Sequence, residues 1–160
     1  GCIAITLALD IPSAQVTGWD ISEDALQVAA ENAANQHAHV RFVKQDTLAA
    51  PFDHDRWDII VSNPPYICEQ EKQAMAQNVL AYEPGIALFV PDEDPLKYYR
   101  AISKYAKNAL KKQGLLYFEI NPLQAKPLQE MLQGDGFTDI ILQEDLFGKN
   151  RFLKCHYPRT

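Results

Sequence analysis

Two kinds of apolar pattern alternate along the first sixty residues. Residues 2–9 are apolar and rich in helix-forming types, and a second stretch forms a helical stripe behind Ser22, a favourable N-cap. Short β-branched runs bounded by turn residues lie between and after these stretches. The pattern predicts helices at 1–9 and 22–36 and strands at 14–21, 40–46 and 57–63.

The same alternation continues in the second part of the chain. Residues 67–91 are irregular, with one helical stretch near 71–81. The pattern then predicts a long amphipathic helix, a buried strand, a helix with an internal proline and two closing strands, at 94–114, 115–120, 122–137, 138–145 and 151–158. Gly114 is placed to stop the long helix.

Alternating strands and helices predict an α/β fold, with a mostly parallel, twisted sheet and helices on both faces. The last two strands are joined by LFGKN (146–150), which is too short for a parallel crossover. One strand near the C-terminus should therefore be antiparallel. No repeat or linker interrupts the pattern, so residues 1–160 are interpreted as one domain.

Composition narrows the possible classes of protein. The 160 residues are 47% hydrophobic and 22% charged, enough apolar material for a packed core. No apolar run approaches the roughly 18 residues of a membrane span, and no signal peptide is expected. The net charge of −6 disfavours a nucleic-acid partner, because duplex-binding proteins usually carry a basic face. Three distant cysteines without a CxxC pair favour reduced thiols in a cytoplasmic protein over disulfides or a zinc site.

Polar side chains follow four of the predicted strands. Asp20, Asp46 and Asn63 each end a strand, and Glu119 and Asn121 lie at the end of a fourth. Ligands of open α/β sheets bind at the carboxyl ends of strands, so we expect a binding site along this polar rim. Taken singly, each residue also suits a structural role, such as capping a helix or forming a turn.

Asp20 has the position of a ribose-binding acid. A carboxylate at the end of a strand accepts the hydrogens of both ribose hydroxyls, so it suits NAD or any other adenosine cofactor. The glycine-rich turn of such sites precedes the first helix, and Gly1 corresponds to its last member only. The residues alone therefore leave the cofactor open.

The motif NPPY (63–66) follows the strand at 57–63. Its prolines stiffen the loop, so the side-chain oxygen of Asn63 and the carbonyl oxygen of Pro64 become two acceptors at a fixed spacing. Together they can accept both hydrogens of one planar NH₂ group, a carboxamide or the amine of a base, while Tyr66 offers a flat face for stacking. A plain turn after a strand is the alternative interpretation.

Taken together, the motifs resemble those of the N5-glutamine methyltransferases that modify peptide chain release factors. NPPY is shared with adenine-N6 methyltransferases, but its combination with YEPGIALF (82–89), DPLKYYRAI (94–102) and FEINPLQA (118–125) is more specific, and the likeness covers nearly the whole chain. The resemblance implies a Rossmann-like class I fold and the cofactor S-adenosylmethionine, with S-adenosylhomocysteine as product. It implies a release factor as partner, methylated on the glutamine of its Gly-Gly-Gln loop, in the cytoplasm.

The resemblance also assigns roles to residues. It implies cofactor binding by Asp20 at the ribose, by Asp46 and Thr47 at the adenine side, and by Gly1 and Asn63. It implies an amide clamp with Asn63, Pro64 and Tyr66 as catalytic residues. Substrate binding is implied for Asn63, Pro64, Pro65, Tyr66 and Glu83.

Two departures from the family pattern concern the N-terminus and one loop. The family's first strand, most of its glycine-rich loop and its helical substrate-docking domain should precede Gly1. The chain is therefore interpreted as an N-terminally truncated methyltransferase domain, which we expect to be unstable unless something fills the place of that strand. Where the family often has a GGxDG stretch, this chain has VPDEDP (90–95), so we expect altered substrate docking there.

Three alternatives stay open from the sequence. A ribosomal-protein glutamine methyltransferase would share the same clamp motif. An adenine-N6 methyltransferase would share NPPY, but the net charge of −6 counts against it. A catalytically silent fragment that only binds a partner is the third.

Overall fold

The computed structural model describes residues 1–74 and 85–158. The chain divides into two compact units, Gly1–Ala50 and Pro51–Thr160, called here the N-terminal unit and the C-terminal unit. Each is described separately.

The N-terminal unit consists of two parallel strands and two helices. Its elements are α1 (Cys2–Asp10), β1 (Val16–Asp20), α2 (Glu23–Asn35), β2 (Val40–Lys44) and a 3₁₀ turn at Thr47–Ala49. β1 pairs with β2 in parallel from Val16 opposite Val40 to Asp20 opposite Lys44. The Ser22 hydroxyl accepts from the Ala25 amide at 3.2 Å, so Ser22 caps α2 as the sequence predicts.

The C-terminal unit is built on a four-stranded sheet in the order β3-β6-β8-β7. Its elements are β3 (Trp57–Ser62), β4 (Ile67–Cys68), α3 (Gly85–Leu88), β5 (Phe89–Val90), α4 (Lys97–Ala109), β6 (Leu110–Glu119), α5 (Ala125–Gly134), β7 (Thr138–Glu144) and β8 (Asn150–His156). β3 and β6 are parallel, whereas β8 is antiparallel to both of its neighbours. β8 is thus the antiparallel strand that the short link predicts. The short strands β4 and β5 form a separate parallel pair.

The pairing of β7 with β8 is irregular. Thr138 lies opposite His156 and Ile141 opposite Lys154, so β7 carries one extra residue between these two pairs. Asp139 lies in this bulge with a φ of 51°, in the left-handed region that most side chains avoid. A second register shift follows between Gln143 and Glu144. In the part of the chain that the structure describes, β7 pairs only with β8 and forms one edge of the sheet.

The long helix is shorter than the sequence predicts, and Gly114 does not stop it. α4 ends at Ala109, because Leu110 turns to extended backbone and pairs with Trp57 of β3. The Arg56 amide donates to the Ala109 carbonyl at 2.8 Å and so satisfies one of the last helical acceptors. Gly114 lies inside β6, where a Cβ would be 2.9 Å from the Lys111 carbonyl oxygen. A glycine is therefore needed where the backbone of the strand makes this close contact.

No helix in the described ranges combines the length and apolar character that a membrane crossing requires.

The apolar core of the C-terminal unit lies between α4, α5 and the sheet. Buried residues follow each other at helical spacing on α4, alternate along β6 and recur on α5 and β8; they are Tyr99, Ile102, Ala106, Leu116, Phe118, Ile120, Leu128, Leu132, Leu153 and Cys155. The Tyr99 ring meets Phe118 edge to face, with centroids 5.0 Å apart. Its hydroxyl donates to the Glu119 carbonyl oxygen at 3.0 Å, which fixes α4 against the end of β6.

The three cysteines are free thiols and differ in access to solvent: Cys2 is exposed, whereas Cys68 and Cys155 are buried. Burial raises the pKa of the Cys155 thiol to about 12, and burial together with Glu71 and Asp92 raises the pKa of Cys68. We expect only Cys2 to react rapidly with a thiol reagent at about pH 8, because the thiolate is the reactive form. Replacing Cys2 with serine should remove one fast-reacting thiol, whereas the same change at Cys68 or Cys155 should remove none. Fast reaction of Cys155 would contradict its burial.

Candidate active site

In the N-terminal unit, the carboxyl ends of the two strands are joined to each other. The Gln45 amide, directly after β2, donates to the Asp20 carbonyl oxygen at 2.9 Å. The Asp20 side chain is exposed, and its Oδ1 accepts from the Ser22 amide at 2.9 Å. The turn thus orients the Asp20 carboxylate and leaves it accessible to a ligand.

Asp46 has a local structural role. Its Oδ1 accepts from the Leu48 amide at 2.8 Å, so Asp46 caps the 3₁₀ turn that begins at Thr47. Gln45 holds the same turn, because its Nε2 donates to the carbonyl oxygens of Asp46 and Ala49. Asp46 and Thr47 are both half-buried, on the strand end next to that of Asp20.

Gly1 lies where a larger residue would clash. A Cβ at this position would be 2.7 Å from the Ala29 Cβ and 3.3 Å from the Ala29 Cα in the middle of α2. A distance of 2.7 Å is shorter than carbon atoms tolerate, and the obstacle is another helix rather than a flexible side-chain end. Close packing between the start of α1 and α2 therefore requires glycine here.

In the C-terminal unit, the NPPY residues follow β3 outside any helix or strand. The Asn63 side chain is exposed and makes no hydrogen bond with any residue that the structure describes. Pro64 is buried, whereas Pro65 and Tyr66 are half-buried. The two prolines thus stiffen the loop that carries Asn63, whose side-chain amide can still form hydrogen bonds at the carboxyl end of β3.

Two side chains from the end of β6 bind the segment around Tyr66. The Tyr66 hydroxyl donates to Glu119 Oε1 at 3.0 Å, and Asn121 Nδ2 donates to the Tyr66 carbonyl oxygen at 3.3 Å. Burial, with the Glu119 carboxylate nearby, raises the pKa of the Tyr66 phenol, so the hydroxyl stays protonated and able to donate. Stacking alone requires the Tyr66 ring only, so the structure adds a contact for its hydroxyl.

Glu71 completes this arrangement and carries no signal in the sequence. Its Oε1 accepts from the Cys68 amide at 2.9 Å and from Asn121 Nδ2 at 3.1 Å. Asn121 and Glu71 are 50 residues apart in the chain, and Glu71 lies in the stretch 67–91, whose apolar pattern is irregular. The pattern of polar residues at strand ends singles out Glu119 and Asn121, but it gives neither of them a partner.

The VPDEDP stretch (90–95) is held by local contacts. Val90 is buried in β5, and Asp92 Oδ1 accepts from the Gln70 amide at 3.1 Å. Asp94 pairs with Arg100 at 2.9 Å across the start of α4. Glu83, the remaining predicted substrate-binding residue, lies outside the described residues.

Within each unit, the structure brings together some of the site residues that the sequence predicts. Asp20 and Asp46 lie on adjacent strand ends of the N-terminal unit. In the C-terminal unit, Tyr66 contacts both Glu119 and Asn121.

Comparisons with known proteins identify the family. Residues 1–85 match the family described as "Methyltransferase small domain". The chain is 46% identical over 157 residues to a release factor glutamine methyltransferase of Bacteroides thetaiotaomicron, covering 98% of this chain and 56% of that protein. It is 41% identical over 157 residues to the protein of that name from Flavobacterium psychrophilum, covering 98% and 55%. The chain thus spans about half the length of these curated relatives.

Solved structures support the fold. A SAM-dependent O-methyltransferase from Thermotoga maritima matches with a TM-score of 0.63 at 15% identity, covering 92% of this chain and 51% of that one. At this identity the likeness concerns the fold alone. It confirms the prediction of a Rossmann-like α/β fold with a mostly parallel sheet and an antiparallel strand near the C-terminus.

Proposed function

Since the chain belongs to the methyltransferase small domain family, we propose that it is the catalytic part of a release factor glutamine methyltransferase. It would transfer the methyl group of S-adenosylmethionine to the side-chain amide nitrogen of the glutamine in a release factor's Gly-Gly-Gln loop. The observation that carries the proposal is the exposed Asn63 amide, which makes no hydrogen bond with the described residues, on a proline-stiffened loop at the end of β3. The named relatives favour this substrate over a ribosomal protein or adenine.

Asn63 and its neighbours would bind the acceptor. Its side-chain oxygen, with the Pro64 carbonyl oxygen, would accept both hydrogens of the glutamine NH₂ group, whose lone pair is delocalised in the free amide. Such acceptors, fixed in advance, favour the pyramidal nitrogen of the transition state over the planar ground state. Tyr66 would stack on the amide plane, and Glu83 and Pro65 would line the same substrate site.

The residues of the N-terminal unit fit S-adenosylmethionine. The exposed Asp20 carboxylate, held by one oxygen to the Ser22 amide, retains acceptor capacity for ribose hydroxyls. Gly1 would approach the cofactor through its backbone, and its close packing against Ala29 keeps a side chain out of this position. Asp46 and Thr47 would bind on the adenine side. The cofactor supplies the electrophilic methyl group when it is bound.

The substrate can be tested with three acceptors and the full-length protein. Labelled S-adenosylmethionine is offered with a release factor, with the same factor carrying Gln→Ala in its Gly-Gly-Gln loop, and with an adenine-containing duplex. We expect label in the first acceptor only, at the glutamine when it is located by mass spectrometry. Label in the duplex would overturn the proposal in favour of adenine methylation. Label in the Gln→Ala factor would show that the methylated residue is not this glutamine.

A release factor works at the ribosome, so we also propose a cytoplasmic location for this protein.

Replacing Asp20 with alanine should weaken cofactor binding by about 10- to 100-fold and leave kcat at saturating cofactor nearly unchanged. Ribose hydroxyls are bound equally in the ground and transition states, so the loss of a hydrogen bond to a charged group should appear in affinity. Titration calorimetry with S-adenosylhomocysteine and steady-state kinetics measure the two effects. Asp24→Ala, an exposed acid one turn away, is the matched control. A fall in kcat at unchanged affinity would contradict the role of Asp20.

A further inference from the structure

Two polar side chains at the end of β6, Glu119 and Asn121, hold the segment that carries Tyr66. We propose that both are positioning residues for methyl transfer, which fix the Tyr66 ring and the backbone behind it so that the acceptor amide meets a preset surface. The inference rests on the proposed function, because it assigns Tyr66 to the substrate. Neither residue touches the acceptor in this proposal; each acts through Tyr66.

Glu119 fixes the free end of the ring. The hydrogen bond from the Tyr66 hydroxyl to Glu119 Oε1, at 3.0 Å, holds the hydroxyl end of the ring in place. The backbone of Glu119 is itself held, because the Tyr99 hydroxyl donates to the Glu119 backbone carbonyl at 3.0 Å. Tyr99 is fully buried in the core, so packing sets the position of the backbone from which the Glu119 side chain extends.

Asn121 fixes the backbone of the same segment. Its side chain is only 5% exposed, and its polar atoms are all engaged. Nδ2 donates to the Tyr66 carbonyl oxygen and to Glu71, while Oδ1 accepts from the Leu123 amide at 3.0 Å. Glu71 in turn accepts from the Cys68 amide at 2.9 Å. The buried Asn121 side chain, just after β6, therefore holds Tyr66 directly and Cys68 through Glu71. Burying a carboxamide is costly unless it is bonded, and here its bonds go to the loop after NPPY.

The hydrogen bond to Glu119 matters because stacking depends on the position of the ring. A ring whose far end is displaced loses its overlap with a planar acceptor, and small misplacements of groups around a reacting atom cost rate out of proportion to their size. Side chains that support the residues in contact with substrate commonly supply this alignment. The hydroxyl of Tyr66 is then needed for its bond to Glu119, which a purely stacking role would not require.

A double-mutant cycle in the full-length protein tests the link between Glu119 and Tyr66. We expect Glu119→Ala and Tyr66→Phe each to lower kcat for the release factor by about tenfold, the usual worth of one hydrogen bond to a charged group. The double variant should be no slower than the slower single one, because both changes remove the same contact. Cofactor affinity should stay constant in all three. Glu119→Gln keeps an acceptor oxygen and should recover most of the rate, while Glu130→Ala, on the exposed face of α5, is the control.

Amide hydrogen exchange provides a measurement that does not depend on activity. Asn121→Asp keeps the acceptor for Leu123 but places a second carboxylate against Glu71, so it should speed exchange of the Cys68 amide and its neighbours while α4 and β8 stay protected. Glu119→Ala should speed exchange within 63–68 in the same way. Effects of Glu119→Ala and Tyr66→Phe that multiply, or unchanged exchange in both variants, would overturn the proposal. A wild-type protein that methylates no glutamine would overturn the proposed function, and the exchange data would still decide whether the two residues hold the segment.

Discussion

Replacing Asn63 with alanine should lower the rate of glutamine methylation by about 10²- to 10³-fold, the usual cost of losing one fixed hydrogen-bond partner of a transition state. Asn63 is exposed and makes no hydrogen bond with the described residues, so the change removes none of the hydrogen bonds seen in that part of the chain. The loss should appear in kcat rather than in the unfolding midpoint. Radiolabel transfer at saturating cofactor and release factor measures it.

The control for this change is Asn32→Ala, another exposed asparagine, on α2. It should leave both activity and stability unaltered, since alanine suits a helix interior. An Asn63→Ala protein with activity within a few-fold of the wild type would refute the amide clamp. If the variant instead lost activity together with its folded structure, Asn63 would have a structural role that the contacts do not reveal.

Replacing Leu116 with alanine should destabilise the protein by about 2–5 kcal/mol, the range for removing a large aliphatic side chain from a packed core. Leu116 is 0% exposed in the middle of β6, between Ile60 of β3 and Cys155 of β8 in the sheet. The alanine would leave a cavity that strands on both sides restrain from closing. Equilibrium urea unfolding, followed by fluorescence and circular dichroism, measures the change.

Leu123 offers the matched control, because it lies seven residues further along the chain and is 72% exposed. Leu123→Ala should shift the free energy of unfolding by less than about 0.5 kcal/mol, as surface substitutions usually do. Equal destabilisation by the two changes would mean that Leu116 is not at the centre of the core. The comparison also locates stability in the C-terminal unit, where all the residues of this core lie.

Local signals in the sequence were enough to predict most of the elements and the polar strand ends. Ser22 caps α2 through its own side chain, and the short link after β7 forces an antiparallel partner, so both features depend on residues close together in the chain. NPPY likewise carries its stiffness within four residues. Such features follow from propensity and spacing alone.

The features that the sequence did not predict depend on residues far apart in the chain. The long helix ends at Ala109 because Leu110 pairs with Trp57, some fifty residues earlier, and no helical propensity reports that pairing. The Tyr66–Glu119 bond joins residues 53 positions apart, and the Asn121–Glu71 bond joins residues 50 apart. Tertiary contacts of this kind override local preference, which explains why the rim of polar residues was predicted while its internal bonds were not.

The bulge in β7 bears on solubility. A regular strand at the edge of a sheet exposes a row of unpaired amides and carbonyls, to which a second molecule can add its own strand and start aggregation. β7 has an apolar middle, Ile140 to Leu142, yet the left-handed Asp139 in its bulge and the register shift before Glu144 distort it at both ends. An incoming strand would meet a bent edge and two acidic side chains. Deleting Asp139 would straighten this edge, and light scattering at rising protein concentration should then detect self-association that the wild type resists.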